Sequence, residues 1–212
     1  MSEPGAYYPI MLDLRGRPVL VVGGGQVAQR KVEGLLAASA CVTIVSPTLT
    51  ADLAALAAQG RVRHEGRCYR PGDLIGFSLA FVAAGDSGLT GLVADEGREH
   101  GVWVNAADDP AHCDFVLPAV LRRGPLSVSV ATDGASPALA GAVRDALADV
   151  VGEAYGPLAE LVGEVRRELR AEGHSPEGEV WRRALDADLL ALVAERRYGD
   201  ARRRLRRGLG VG

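Results

Sequence analysis

The chain has 212 residues, 48% apolar and 24% charged, which is the balance of a folded soluble protein rather than a disordered one. A formal charge of −3 gives no basic field for nucleic acid or a membrane surface, and no apolar run approaches the ~20 residues that span a bilayer. Three widely spaced cysteines with no Cys-x-x-Cys pair argue against a disulfide framework or structural zinc and for a reducing cytoplasm, and Met1–Gly5 lacks the build of a secretory leader.

Taken in chain order, strand-like apolar runs alternate with helical patterns. Arg17–Val22 reads as a strand buried on both faces, ended by Gly23-Gly24-Gly25. Gln26–Ala38 is an amphipathic helix with Val27, Val32, Leu35 and Leu36 on one face, and Cys41–Val45 is the next strand. Thr50 is placed to cap a helix over Ala51–Gln59, which Gly60 terminates. A weak strand at Arg61–Glu65 follows, then a buried strand at Leu79–Ala84, a helix over Leu89–His100 stopped by Gly101, and a strand at Val102–Asn105. Such alternation predicts βαβ units and a parallel sheet.

Beyond Asn105 the pattern changes. Phe115–Val120 and Leu126–Ala131 read as strands joined through Arg122-Arg123-Gly124-Pro125, which is hairpin spacing. Ser136-Pro137 opens a helical region that runs to about Leu209, with breaks at Gly156-Pro157 and Gly173–Pro176. The expected fold is therefore α/β: a Rossmann-type parallel sheet over residues 1–111, a small strand-bearing dimerisation or substrate segment over 112–145, and an all-helical C-terminal part over 146–212. The arginine-rich end (Arg196-Arg197, Arg202–Arg204, Arg206-Arg207) reads as the solvated face of a last helix rather than a nucleic-acid tail.

Gly23-Gly24-Gly25-Gln26-Val27-Ala28 fits G-x-G-x-x-A between a strand and a helix, the context in which the pattern signifies dinucleotide binding. Gly23 allows the tight turn, Gly25 lets a pyrophosphate approach the backbone, and Ala28 lets the helix pack on the strand. The helix N-terminus supplies amides and positive potential to the phosphates. The acidic residue that usually holds the ribose at the end of the second strand is absent, since Val45-Ser46-Pro47-Thr48 stands there. That leaves NAD against NADP open, with Ser46 and Thr48 as candidate ribose partners.

Several segments together resemble a known family. They are Tyr8–Leu14, the VLVVGGGQVAQRK run, VTIVSP, Asn105–Pro110, Cys113–Ala119 and Asp133–Ala140. In that order and spacing the chain resembles precorrin-2 dehydrogenase, the NAD-dependent module of siroheme synthases. The resemblance implies an enzyme that passes a hydride from precorrin-2, a tetrapyrrole, to NAD, giving sirohydrochlorin. In many members Fe²⁺ is then inserted as a second substrate, and members form homodimers. A methyltransferase domain of the full synthase finds no room before Gly212, so the resemblance leads us to expect the stand-alone form.

Carried onto this sequence, the resemblance assigns Gln26 and Val27 to the cofactor pyrophosphate, with Gly23 and Gly25 in the loop, and Pro47 and Thr48 to the adenosine ribose. It makes Asp108, in the pattern Asn-x-x-Asp, the catalytic carboxylate. A carboxylate beside the nicotinamide can act as general base when the macrocycle loses its proton. Without the resemblance, Asp108 reads first as a helix or turn cap in an Asp-Asp-Pro loop, and the resemblance reverses that order. Two departures from the family pattern stand out: Ala84 replaces a threonine, and Asp133 enters a stretch usually built of serine and glycine. A carboxylate at 133 would repel a polycarboxylate substrate unless paired.

Asp108, Asp109, His112, Cys113 and Asp114 have a metal-site composition but follow no recognised ligand spacing, so no resident metal is expected. Cys113 reads as a buried packing residue, and His64, His100 and His174 as isolated surface or packing residues. Arg30, Lys31, Arg122, Arg123 and Arg144 are candidates for substrate carboxylates, or equally a solvated face. An alternative from another class is an NAD(H)-binding sensor dimer without turnover. The absence of Tyr-x-x-x-Lys, with Lys31 the only lysine, excludes the short-chain dehydrogenase mechanism.

Overall fold

A computed structural model describes residues 7–107 and 109–211. The chain divides into two units, Met1–Val116 and Leu117–Gly212. The first is a parallel five-stranded sheet in the order β3-β2-β1-β4-β5, formed by β1 Pro18–Val22, β2 Cys41–Val45, β3 Arg63–Glu65, β4 Leu79–Val82 and β5 Trp103–Ala106. The chain builds outward from β1 through β2 to β3, then returns to lay β4 against the other edge of β1. The order therefore switches direction between β1 and β4, where open α/β sheets place their ligands.

Alternate residues of β1 serve opposite layers. Val19 and Val21 meet Ala28, Val32 and Leu35 of α1 (Gln26–Ala37) and Leu53 of α2 (Ala51–Ala58). Leu20 and Val22 meet Val93 of α3 (Ser87–His100) together with Tyr69 and Leu74 from the loop after β3. Glu96 of α3 anchors that loop: it is 7% exposed and accepts from Tyr69 Oη at 2.7 Å and Gly72 N at 2.8 Å. Burial and the Glu96 carboxylate push the Tyr69 phenol up from its ordinary pKa.

Local signals act as expected at several ends. Leu53 N donates to Thr50 Oγ1, Leu139 N donates to Ser136 Oγ, and Gly101 closes α3 at φ 67°. Helix α3 starts earlier than Leu89 because Asp86 accepts from Gly88 N and Leu89 N.

The second unit opens with the antiparallel pair β6 (Ala119–Arg123) and β7 (Leu126–Val130). The first strand is thus displaced from the expected Phe115–Val120. Arg123 pairs with Leu126, so the turn needs only Gly124, at φ 52°, and Pro125. Upstream residues are held by the first unit instead: Asp114 N donates to Val104 O, Asn105 Nδ2 donates to Phe115 O, and Phe115 packs edge-on against Phe81. Those contacts also place the division at Val116 rather than at 111.

Five helices follow: α4 Pro137–Val150, α5 Tyr155–Ala171, α6 Gly178–Ala184, α7 Ala187–Ala194 and α8 Tyr198–Gly208. The expected break at Gly156-Pro157 falls instead at 151–154, because Pro157 lies in the first turn of α5, where no donor is missed. No division separates the hairpin from these helices at 145. Gly156 packs on the Arg123–Gly124 backbone, and Arg123 Nε donates to Val151 O. Among the described residues no helix is long and apolar enough to cross a membrane.

The arginine-rich end is more engaged than a solvated face. Arg202 meets Glu164 and Glu168, Arg206 meets Glu168 and Glu172, and Arg204 meets Asp186 and Asp188. These pairs strap α8 to α5 and to the start of α7.

Candidate dinucleotide site

The glycine loop sits where the sheet order switches, and each glycine answers a different demand. Gly23 has φ 117°, and a Cβ there would lie 2.6 Å from Ala83 O, so this residue lets the ends of β1 and β4 close together. Gly24 is tighter still, since a Cβ would fall 2.0 Å from Thr48 O and 2.8 Å from Ser46 Oγ. The pattern G-x-G-x-x-A leaves that middle position free, so sequence reading missed its constraint. Gly25 is the opposite case: a Cβ would meet nothing within 4 Å.

The residues after β2 are stitched to this loop. Thr50 N donates to Gly24 O at 2.9 Å, and Ser46 Oγ donates to Thr48 O at 2.7 Å. The Ser46 proton is therefore committed within the loop rather than offered to a ribose. Pro47 and Thr48 are exposed beside it. Gln26 is exposed at the first turn of α1, and Val27 lines the adjoining cleft.

Gly25 is the N-cap of α1 and supplies no side-chain acceptor, and the first turn carries no acidic residue. The first backbone amides of a helix have no partner within it. In α2 and α3 of the same unit, Thr50 and Asp86 cover those amides. At α1 they are left to whatever meets the open face of Gly25. The residues thus fit a pyrophosphate group: open backbone, helix N-terminus and no competing carboxylate.

From this point a cleft of about 340 Å³ runs toward β5, lined by Val27, Ala83–Ser87, Thr90, Ala107 and Asp109. Ala84, the departure from the family threonine, is part of its wall. Asp86, Ser87, Thr90 and Asp109 were not among the expected site residues. A Gly-Asp-Ser sequence directly after a buried strand is an N-cap signature that would have marked Asp86. Asp108 lies outside the described residues.

The remaining members of the 108–114 cluster have separate tasks. Asp109 Oδ2 accepts from His112 Nδ1 at 2.8 Å on a 3-10 turn over Pro110–His112. The Cys113 sulfur accepts from Ala106 N at 3.2 Å and lies near the Ala106 and Asp109 carbonyls, and burial raises its thiol pKa. Asp114 accepts from Val104 N. Among the described residues, no three acidic, His or Cys side chains gather as metal ligands. Lys31 Nζ lies 3.5 Å from Asn105 Oδ1 and 5.7 Å from the centre of the Phe81 ring. Arg123 points into its own unit, and Arg144 pairs with Asp145.

Residues 10–119 match the family described as "Putative NAD(P)-binding". The chain is 37% identical over 199 residues to the siroheme synthase of Methylococcus capsulatus, covering 93% of this chain and 42% of that protein. It is 36% identical over 210 residues to the siroheme synthase of Thioalkalivibrio sulfidiphilus, covering 97% and 42%. The chain thus spans about two fifths of the length of the curated relatives it matches. Among solved structures it is similar to SirC, precorrin-2 dehydrogenase, with a TM-score of 0.78 and 29% identity over 93% of this chain and 99% of that one. The chain belongs to the NAD(P)-binding family whose model spans its parallel sheet and the start of its hairpin.

Proposed function

We propose that this chain is an NAD-dependent dehydrogenase that oxidises precorrin-2 to sirohydrochlorin. The observation that carries the reading is the extent of the likeness to precorrin-2 dehydrogenase, which takes in 93% of this chain, and so residues of both its units, and 99% of that protein. The uncapped start of α1 and the open face of Gly25 support NAD as the cofactor, with the pyrophosphate on the amides of Gln26 and Val27. Pro47 and Thr48 then lie toward the adenosine, and the cleft between Val27 and Asp109 takes the nicotinamide half. When bound, NAD supplies the hydride acceptor. The chain's own residues orient it and handle the proton.

Asp108 is proposed as the general base, on its place in Asn-x-x-Asp, one residue past the Ala107 wall of the cleft. Insertion of Fe²⁺ into the product is the second proposed step, with iron as substrate rather than resident ion. The active form is proposed as a homodimer through residues 112–145. A lone hairpin is marginally stable, and α4 beside it leaves Leu139, Val143 and Val150 exposed on its surface. Exposed, unpaired Cys41 and Cys68 support a cytoplasmic setting.

Anaerobic absorbance of the protein with precorrin-2 and NAD⁺ tests the reading, with Asp108→Ala in parallel. Growth of the sirohydrochlorin spectrum in wild type and its loss in the variant is the expected result. Full activity of the variant would reduce Asp108 to a turn residue. NAD⁺ binding with an unchanged spectrum in wild type would overturn the enzyme in favour of a sensor.

A further inference from the structure

We propose that His112, held by Asp109, is the group that carries the substrate's proton out of the cleft. The inference rests on the dehydrogenase reading above. A carboxylate can only accept, so the 2.8 Å contact to Asp109 Oδ2 places the hydrogen on Nδ1 of His112. That fixes the neutral tautomer and leaves the lone pair on Nε2. Asp109 itself lines the nicotinamide end of the cleft, and Nε2 lies beside α3 at Gly91, next to the cleft residue Thr90. Nε2 faces the backbone of α3 at Gly91, and the His112 side chain is 34% exposed. The dyad thus joins the cleft wall to solvent.

The chemistry balances with these groups. A carbon–hydrogen bond of precorrin-2 breaks and its electron pair leaves as hydride to NAD⁺, so that NAD⁺ is reduced and the macrocycle oxidised. The second hydrogen departs as a proton to Asp108, the base proposed above, and passes from there to Nε2 directly or through one water. The imidazolium so formed is stabilised by the Asp109 carboxylate until Nε2 returns its proton to solvent. Asp109 is a positioning residue for this ring.

The experiment compares wild type, His112→Asn and Asp109→Asn, with thermal melting and NAD⁺ affinity as folding controls. Imidazole ¹⁵N spectra of the protein without cofactor should show Nδ1 protonated and Nε2 bare in wild type, and this preference lost in Asp109→Asn. With precorrin-2, His112→Asn should form NADH about a hundredfold more slowly, at unchanged NAD⁺ affinity. A wild-type rate in His112→Asn would overturn the proposal and leave the dehydrogenase intact. So would a ¹⁵N spectrum with Nδ1 bare. If wild type forms no NADH, the dehydrogenase reading itself fails and this one falls with it.

Discussion

The two units use polar contacts for different ends. In the α/β unit the sheet is held by apolar burial on both faces, and its hydrogen-bonded side chains shape loops: Thr50 and Asp86 close helix starts, Ser46 binds the loop after β2, and Glu96 anchors residues 69–74. Among the described α-helices of this unit, α1 starts without a side-chain cap, at the cleft. In the helical unit the core of Leu161, Val165, Leu169, Leu189, Val193 and Leu205 is bordered by arginine–carboxylate pairs that tie helices distant in sequence. The contrast separates a unit whose polar side chains shape loops and leave one helix start uncapped from a unit whose polar side chains tie its helices together.

The comparison is tested most severely at adjacent glycines. Gly24→Ala drives a methyl into the Thr48 carbonyl and should cost about 3 kcal/mol, at the upper end of overpacking, by thermal or denaturant melting. Gly25→Ala meets no protein atom and should leave the stability within about 0.5 kcal/mol of wild type while weakening NAD⁺ binding. If both variants lower stability equally, Gly25 is structural and the open helix start is not a ligand site.

Much of this was legible in the sequence. The strand, glycine turn and helix from Pro18 to Ala37 announce themselves because local periodicity and turn chemistry agree there. Thr50, Gly101 and Ser136 are legible for the same reason, since a cap acts within a few residues. The constraint on Gly24 was not, because it comes from Thr48, brought in by the β1–β2 pairing. The displaced start of β6 was hidden because Phe115 has a strand-like sequence but belongs to the core beside Phe81. The Arg202, Arg204 and Arg206 pairs depend on how α5, α7 and α8 pack, which no local pattern encodes.

A weaker effect should separate the units by acid. Arg206 holds the Glu172 carboxyl below its usual range, Arg204 does so for Asp186, and Arg197 and Arg203 for Asp200. A carboxyl whose folded pKa is depressed stabilises the fold above its unfolded pKa of about 4, and that contribution is lost as pH falls through the folded value. These pairs are largely exposed, so each contributes little and is screened by salt. Helical circular dichroism should therefore start to fall below about pH 4 while NAD⁺-linked protection of the α/β unit persists. Simultaneous loss of both signals would show that the pairs do not hold the helical unit separately.

The smallest expected effect lies at Asp133, where φ is 46° and Gly134 follows at φ 81°. Thr132 winds this loop, accepting from Ser136 N through Oγ1 while its carbonyl accepts from Ala135 N. A left-handed conformation costs a residue with a Cβ about 1 kcal/mol, less for Asp than for most, and glycine none. Asp133→Gly removes that strain but also frees the unfolded chain, so the net gain in stability should be only about 0.5 kcal/mol. The same change removes a carboxylate from the segment proposed to meet a polycarboxylate substrate. A fall in KM for precorrin-2 at unchanged kcat would locate that repulsion in the substrate-binding step. An unchanged KM with the stability gain retained would confine Asp133 to the turn.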